Sequence, residues 1–209
     1  LITGASAGVG ASIARAWVPA GHGLVLVARR EDRLAAVADE VRALGGNPLV
    51  LAEDLADPSA PARIVEAVAD EFGGLDALIN NAGIGLPRYY SECDAEALRE
   101  QAVVNFVAPL VLTRLAMPHL IASGGTVVNI GSAITPVANP ILGAYGATKA
   151  GLAYWNAALR RELRDKGVSV SFVDLGPVAT DFFEAVHRRA DSRRPGSPLG
   201  VDPPPDSLY

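Results

Sequence analysis

The chain has 209 residues, half of them hydrophobic and a fifth charged, with a mean hydropathy of +0.25. This length and composition suit one folded domain and exclude a disordered chain or one that needs a metal or disulfide to hold its core. Eighteen Lys and Arg against 23 Asp and Glu leave a net charge of −5, which argues against a general nucleic-acid binder.

A single cysteine, Cys93, excludes an internal disulfide framework and points to a reducing, cytoplasmic setting. No membrane span is expected, because the most apolar long stretch, 102–122, is interrupted by Asn105, Arg114 and His119 and carries Pro109 and Pro118. No basic segment precedes an apolar one at the start, so no signal peptide is read. The chain opens Leu1-Ile2-Thr3-Gly4, as if in mid-strand, and a clipped N-terminus is expected.

After the strand stub 1–2, short apolar runs at 24–28, 48–52, 75–79, 126–130 and 168–173 read as strands, apolar almost throughout as parallel strands covered on both faces are. Helices are expected near 9–20, 31–44, 59–72, 94–122 and 144–166. In the second, Leu34, Val37, Ala38, Val41 and Leu44 share one face. Gly21, Gly45-Gly46, Gly73-Gly74 and Gly124-Gly125 follow as helix stops. Strands alternating with helices in this rhythm predict a single α/β domain, a doubly wound parallel sheet between two helical layers, over 1–187. From 188 to 209, Pro195, Pro198, Pro203, Pro204 and Pro205 break any apolar period, and a disordered tail is expected.

The chemistry-bearing residues cluster where strands end. Thr3-Gly4-Ala5-Ser6-Ala7-Gly8-Val9-Gly10 leaves the first strand and opens a helix, so Gly4, Gly8 and Gly10 would let backbone N–H groups approach a pyrophosphate at a helix N-terminus. Beyond the second strand stand Arg29 and Arg30, where an acid would bind the ribose of NAD. A guanidinium there pairs with a 2′-phosphate, and one charge-assisted bond of about 1.5–3 kcal/mol is a preference of roughly 10- to 150-fold for NADP, with NAD as the alternative. Asp54 and Asn80-Asn81-Ala82-Gly83 also follow strands, and each equally suits a turn.

Downstream, Ser132 follows the fifth strand, and Tyr145 and Lys149 share one face of the next helix at i and i+4. A neighbouring ammonium favours phenolate over phenol, and bringing the Tyr145 pKa from about 10 near 7 requires about 4 kcal/mol of differential stabilisation, which Lys149 together with an oxidised nicotinamide could supply. So tuned, Tyr145 could exchange a proton with an alkoxide, and Ser132 could hold the same oxygen. His22, His119 and His187 are too scattered for a metal site, so none is expected.

Thr3–Gly10, Asn80–Gly83, Asn105, Ser132, Tyr145 and Lys149 together resemble the short-chain dehydrogenase/reductase family, with its Rossmann-type fold, over about 1–183. The resemblance implies that Tyr145 is the acid/base, Ser132 orients the substrate carbonyl, Lys149 binds the nicotinamide ribose, and Asn105 holds a water linking Lys149 to solvent. It places Ser6 and Val9 along the phosphates, Asp54 and Leu55 at the adenine, and Asn81, Ala82 and Gly83 beside the adenosine ribose. Gly176, Val178 and Thr180 match the loop that holds the carboxamide, although Leu175 stands where the family has proline. It further implies a small carbonyl or alcohol substrate and a homodimer or homotetramer paired through helices 94–122 and 144–166. No seventh strand is readable after Phe183, so a truncated chain is expected. A catalytically silent dinucleotide sensor and an inactive fragment are the alternatives.

Overall fold

The structure, a computed structural model, describes residues 1–176. Six parallel strands form one sheet in the order β3-β2-β1-β4-β5-β6: β1 (Ile2–Thr3), β2 (Leu24–Ala28), β3 (Pro48–Ala52), β4 (Ala77–Asn80), β5 (Thr126–Ile130) and β6 (Ser169–Val173). The short β1 pairs on both sides, Ile2 with Leu26 of β2 and with Ile79 of β4. The chain therefore winds outward through β2 and β3, then restarts across β1 at β4. The crevice at that reversal lies at the carboxyl ends of β1 and β4, where open α/β sheets place their ligands.

Side-chain alternation divides the core into two layers. Val25 and Val27 of β2 face one layer, with Ile64 and Val68 of α3 (Ala60–Phe72), Leu112 and Leu120 of α5 (Ala108–Ser123) and Leu159 of α6 (Gly143–Glu162). Leu24, Leu26 and Ala28 face the other, with Ala11 and Ala14 of α1 (Gly8–Trp17) and Leu34, Val37, Ala38 and Val41 of α2 (Glu31–Ala43). The three-layer, doubly wound arrangement is the one the apolar runs predict.

Of the boundaries that differ from the sequence reading, two bear on the site. The fourth strand starts at Ala77 and runs into Asn80, with the Asp76 carbonyl just before it accepting from Thr126 N of β5 at 2.8 Å. The helix expected over 94–122 is broken: α4 (Ala95–Ala102) passes through a π-helical turn, Val103–Val107, before α5 begins. Ala95–Ser123 is the one helical run among the described residues long and apolar enough to cross a membrane. Leu112, Ala116 and Leu120 of that run are fully buried in the domain core. The expected tail, and anything after Phe183, lie outside the described residues.

Candidate active site

The first βα turn is built for close backbone approach. Gly4 adopts φ +66°, and a Cβ there would lie 2.8 Å from Ala82 Cα and 2.9 Å from Asn81 Nδ2. A Cβ on Gly10 would collide with the Gly4 carbonyl and lie 2.6 Å from Asn81 Nδ2. Ala7 caps α1 without a side-chain hydrogen bond, which leaves the first-turn N–H groups to the cleft. Gly10→Ala is accordingly expected to cost about 1–3 kcal/mol of stability by overpacking and to weaken dinucleotide binding at least tenfold. Thermal melts and a nucleotide titration check this, and an unchanged affinity would remove the turn from the site.

Thr3, which sequence reading left outside the site, staples this turn to the next. Its buried hydroxyl donates to Ile79 O at 3.2 Å and accepts from Asn81 N and Ala82 N, each at 3.0 Å. Asn81 Nδ2 donates to Thr3 O at 2.9 Å and to Gly4 O at 3.3 Å. The Asn81 amide nitrogen thus joins the two loops, while Asn81, Ala82 and Gly83 line the cleft.

The arginines diverge. Arg30 Nη2 donates to Ser6 Oγ at 3.3 Å, toward the glycine-rich turn. Arg29 Nη1 donates to Glu100 Oε1 of α4 at 2.8 Å and lies 3.5 Å from Asp54 Oδ2. Asp54 also closes its own turn, Oδ1 accepting from Ala56 N at 3.0 Å, and Leu55 is buried in the core. Around it, Arg63 Nε donates to Glu53 at 2.9 Å and Arg63 Nη2 to Asp57 at 2.8 Å. The Ser59 hydroxyl and backbone N–H, with Arg63, hold the Asp57 carboxyl down to about 2.

At the other end, Tyr145 in the first turn of α6 and Lys149 one turn later are both buried, as i, i+4 spacing requires. Ser132 and Tyr145 line the same end of the cleft. Lys149 Nζ donates to Ile130 O at 2.8 Å and lies 5.9 Å from the Tyr145 ring centroid. Burial lowers the Lys149 pKa to about 8. In the protein by itself, burial raises the Tyr145 pKa, against a smaller lowering by Ser132. The protein's own groups do not pull the phenol down, because Lys149 directs its ammonium at a backbone carbonyl and burial penalises the phenolate.

Asn105 lies within the π turn. Its Oδ1 accepts from Ile84 N at 2.8 Å, and its Nδ2 donates to Ile84 O at 2.9 Å and to Thr148 Oγ1 at 3.2 Å. It meets Lys149 at Gly83, where a Cβ would lie 3.5 Å from Asn105 Oδ1 and 3.7 Å from Lys149 Nζ. Gln101, fully buried one turn earlier, adds a bond from Nε2 to Ile84 O at 3.2 Å. Beneath the site, Asn80 Nδ2 donates to Thr113 Oγ1 at 3.1 Å and to Asn129 Oδ1 at 2.8 Å, and Asn129 Nδ2 to Asn156 Oδ1 at 2.8 Å. This buried chain ties α5 and α6 to the sheet. The signal available in sequence was an asparagine near the end of an otherwise apolar strand, in both β4 and β5.

One cleft of about 450 Å³ joins the two ends, lined from Gly4, Ser6, Gly8 and Val9 through Arg29, Arg30 and Asp54 to Ser132, Tyr145, Lys149 and Gly176. Leu175, in place of the family's proline, keeps its carbonyl on Ala133 N at 2.9 Å. Val178 and Thr180 lie outside the described residues.

A glycine-rich βα turn and the side chains of Ser132, Tyr145 and Lys149 thus stand at the two ends of one crevice in a doubly wound α/β domain. Comparison with known proteins agrees: the short chain dehydrogenase model matches residues 1–191, and the chain belongs to that family. A short chain dehydrogenase of Pseudocercospora fijiensis is 33% identical over 87% of this chain, which spans 60% of that relative's length. A metagenomic short-chain oxidoreductase crystallised with NADP shares 36% identity over 85% of this chain and 81% of its own, with a TM-score of 0.80. A Burkholderia phymatum member crystallised with NAD shares 26% identity, covering 94% of this chain and 71% of its own, with a TM-score of 0.85.

Proposed function

We propose that this chain carries the cofactor site and catalytic residues of an NADP-preferring oxidoreductase that interconverts a carbonyl and a secondary alcohol. The observation that carries the reading is the single cleft running from the Gly4–Gly10 turn to Ser132, Tyr145 and Lys149. The residues suit a dinucleotide: Gly4 and Gly10 have no room for a Cβ, and the α1 N-terminus is open beside them. The bound nicotinamide would supply or accept the hydride.

The chain's residues supply the proton and the geometry. Ser132 hydrogen-bonds the substrate oxygen and holds the carbonyl against Tyr145. Tyr145 donates its phenolic proton to that oxygen in reduction and removes it in oxidation. Lys149, together with the positive charge of an oxidised nicotinamide, would favour the phenolate that reduction leaves behind, and it presents donors to the ribose beside it. Asn105 holds Ile84 and Thr148 so that the floor beneath Lys149 keeps its shape.

Arg29 and Arg30, both lining the adenosine end, support the NADP preference, as does the NADP-bound relative of 36% identity. Val107, Val111 and Leu115, exposed along one side of the helix, and Tyr154 on α6 support pairing of two copies through these helices. The test is a paired titration with NADPH and NADH, followed by intrinsic tryptophan fluorescence, then a screen of ketones. NADPH favoured tenfold or more, with turnover of at least one ketone, is the expected result; binding of neither nucleotide would end the proposal.

A further inference from the structure

We propose that Glu100 determines how strongly this site prefers a 2′-phosphorylated dinucleotide, by competing with the 2′-phosphate for the Arg29 guanidinium. The inference rests on the NADP reading above. Arg29 stands at the end of β2, whereas Glu100 belongs to α4, which follows β4 on the far side of β1. Arg29 Nη1 nonetheless donates to Glu100 Oε1 at 2.8 Å, and Asp54 Oδ2, from the end of β3, lies 3.5 Å from the same nitrogen. Glu100 sits one helical turn before Val104, which lines the cleft, so the ion pair bridges the adenosine end from the β2 side to the α4 side. Side-chain exposures of 41% for Arg29 and 30% for Glu100 leave the pair partly desolvated and within reach of a ligand.

The two arginines therefore divide the work. Arg30 turns to Ser6 on the glycine-rich turn, while Arg29 is already neutralised by a carboxylate. A 2′-phosphate brings a charge of about −1.5 to −2 to that place. It must displace or share Glu100, and it meets the Asp54 charge as well. A dinucleotide with a 2′-hydroxyl asks nothing of the guanidinium. Glu100 thus subtracts from NADP affinity and leaves NAD affinity alone, which makes it a specificity-determining residue and not a catalytic one.

Calorimetric titration of the full chain with NADPH and with NADH tests this in the parent, Glu100→Gln, Arg29→Ala and the double variant. Glu100→Gln is expected to tighten NADPH about fivefold, the scale of a partly exposed ion pair, and to change NADH less than twofold. In the Arg29→Ala background its effect should vanish. Three results would overturn the inference while the NADP reading stands, provided Arg29→Ala weakens NADPH: an unchanged or weaker NADPH affinity in Glu100→Gln, an equal gain for NADH, or a gain that persists without Arg29. If Arg29→Ala leaves NADPH binding unaltered, or the parent binds neither nucleotide, the reading beneath it fails and this inference with it.

Discussion

Tyr145→Phe will leave NADPH binding within about twofold of the parent chain and cut carbonyl reduction by at least about 10²-fold, the usual loss when a positioned acid is removed. The ring is buried and keeps its packing when the hydroxyl goes, so the effect falls on proton transfer and not on the fold. Burial raises the Tyr145 pKa above its ordinary value, which keeps the phenol protonated through neutral pH. Reduction in the parent chain, which needs that proton, is therefore expected to be flat across neutral pH. Oxidation, which needs the phenolate, should climb toward alkaline pH. Steady-state rates in both directions check this, and normal turnover by the phenylalanine variant would remove Tyr145 from the mechanism.

Lys149→Met is expected to give a chain that is more stable at pH 7 and has lost at least about 10²-fold in activity. The Lys149 ammonium is buried against the Ile130 carbonyl, and desolvation lowers its pKa from 10.5 to about 8. A lowered lysine pKa means that the unfolded chain holds its proton more tightly than the folded one. The resulting penalty on folding is fully present below about pH 8, and it fades as pH rises from 8 to 10.5. At 1.36 kcal/mol per unit it amounts to about 3 kcal/mol. Leaving the Ile130 carbonyl without its donor returns about 1–2 kcal/mol of that gain. The variant should therefore melt a few degrees higher than the parent at pH 7, with the difference narrowing by pH 10. A variant less stable than the parent at pH 7 would show that the buried ammonium is held without cost. Stability given up for a charge inside a cleft is what a functional lysine implies, and a packing lysine does not need it.

The sequence by itself determined the features that depend on near neighbours along the chain. Apolar runs of strand length between helix-period segments specified a doubly wound sheet, since strands covered on both faces have no polar side to show. The Gly4–Gly10 turn was legible because only glycine tolerates a backbone packed on Asn81 and Ala82. Tyr145 and Lys149 were legible because helical geometry alone stacks residues four apart.

What only the tertiary structure decided is how distant elements meet. Glu100 reaches Arg29 because the sheet order brings α4 over the end of β2, and no local pattern records that order. Asn105 grips Ile84 from the π turn that interrupts the helix expected to be continuous. The Asn80–Asn129–Asn156 chain exists because β4 and β5 pair in a register that places Asn80 beside Asn129. The Tyr145 pKa rises because burial and the direction of the Lys149 ammonium are properties of the packed core. Spacing along the helix brings the two side chains to one face, but only packing decides which way each one points and how much water it keeps.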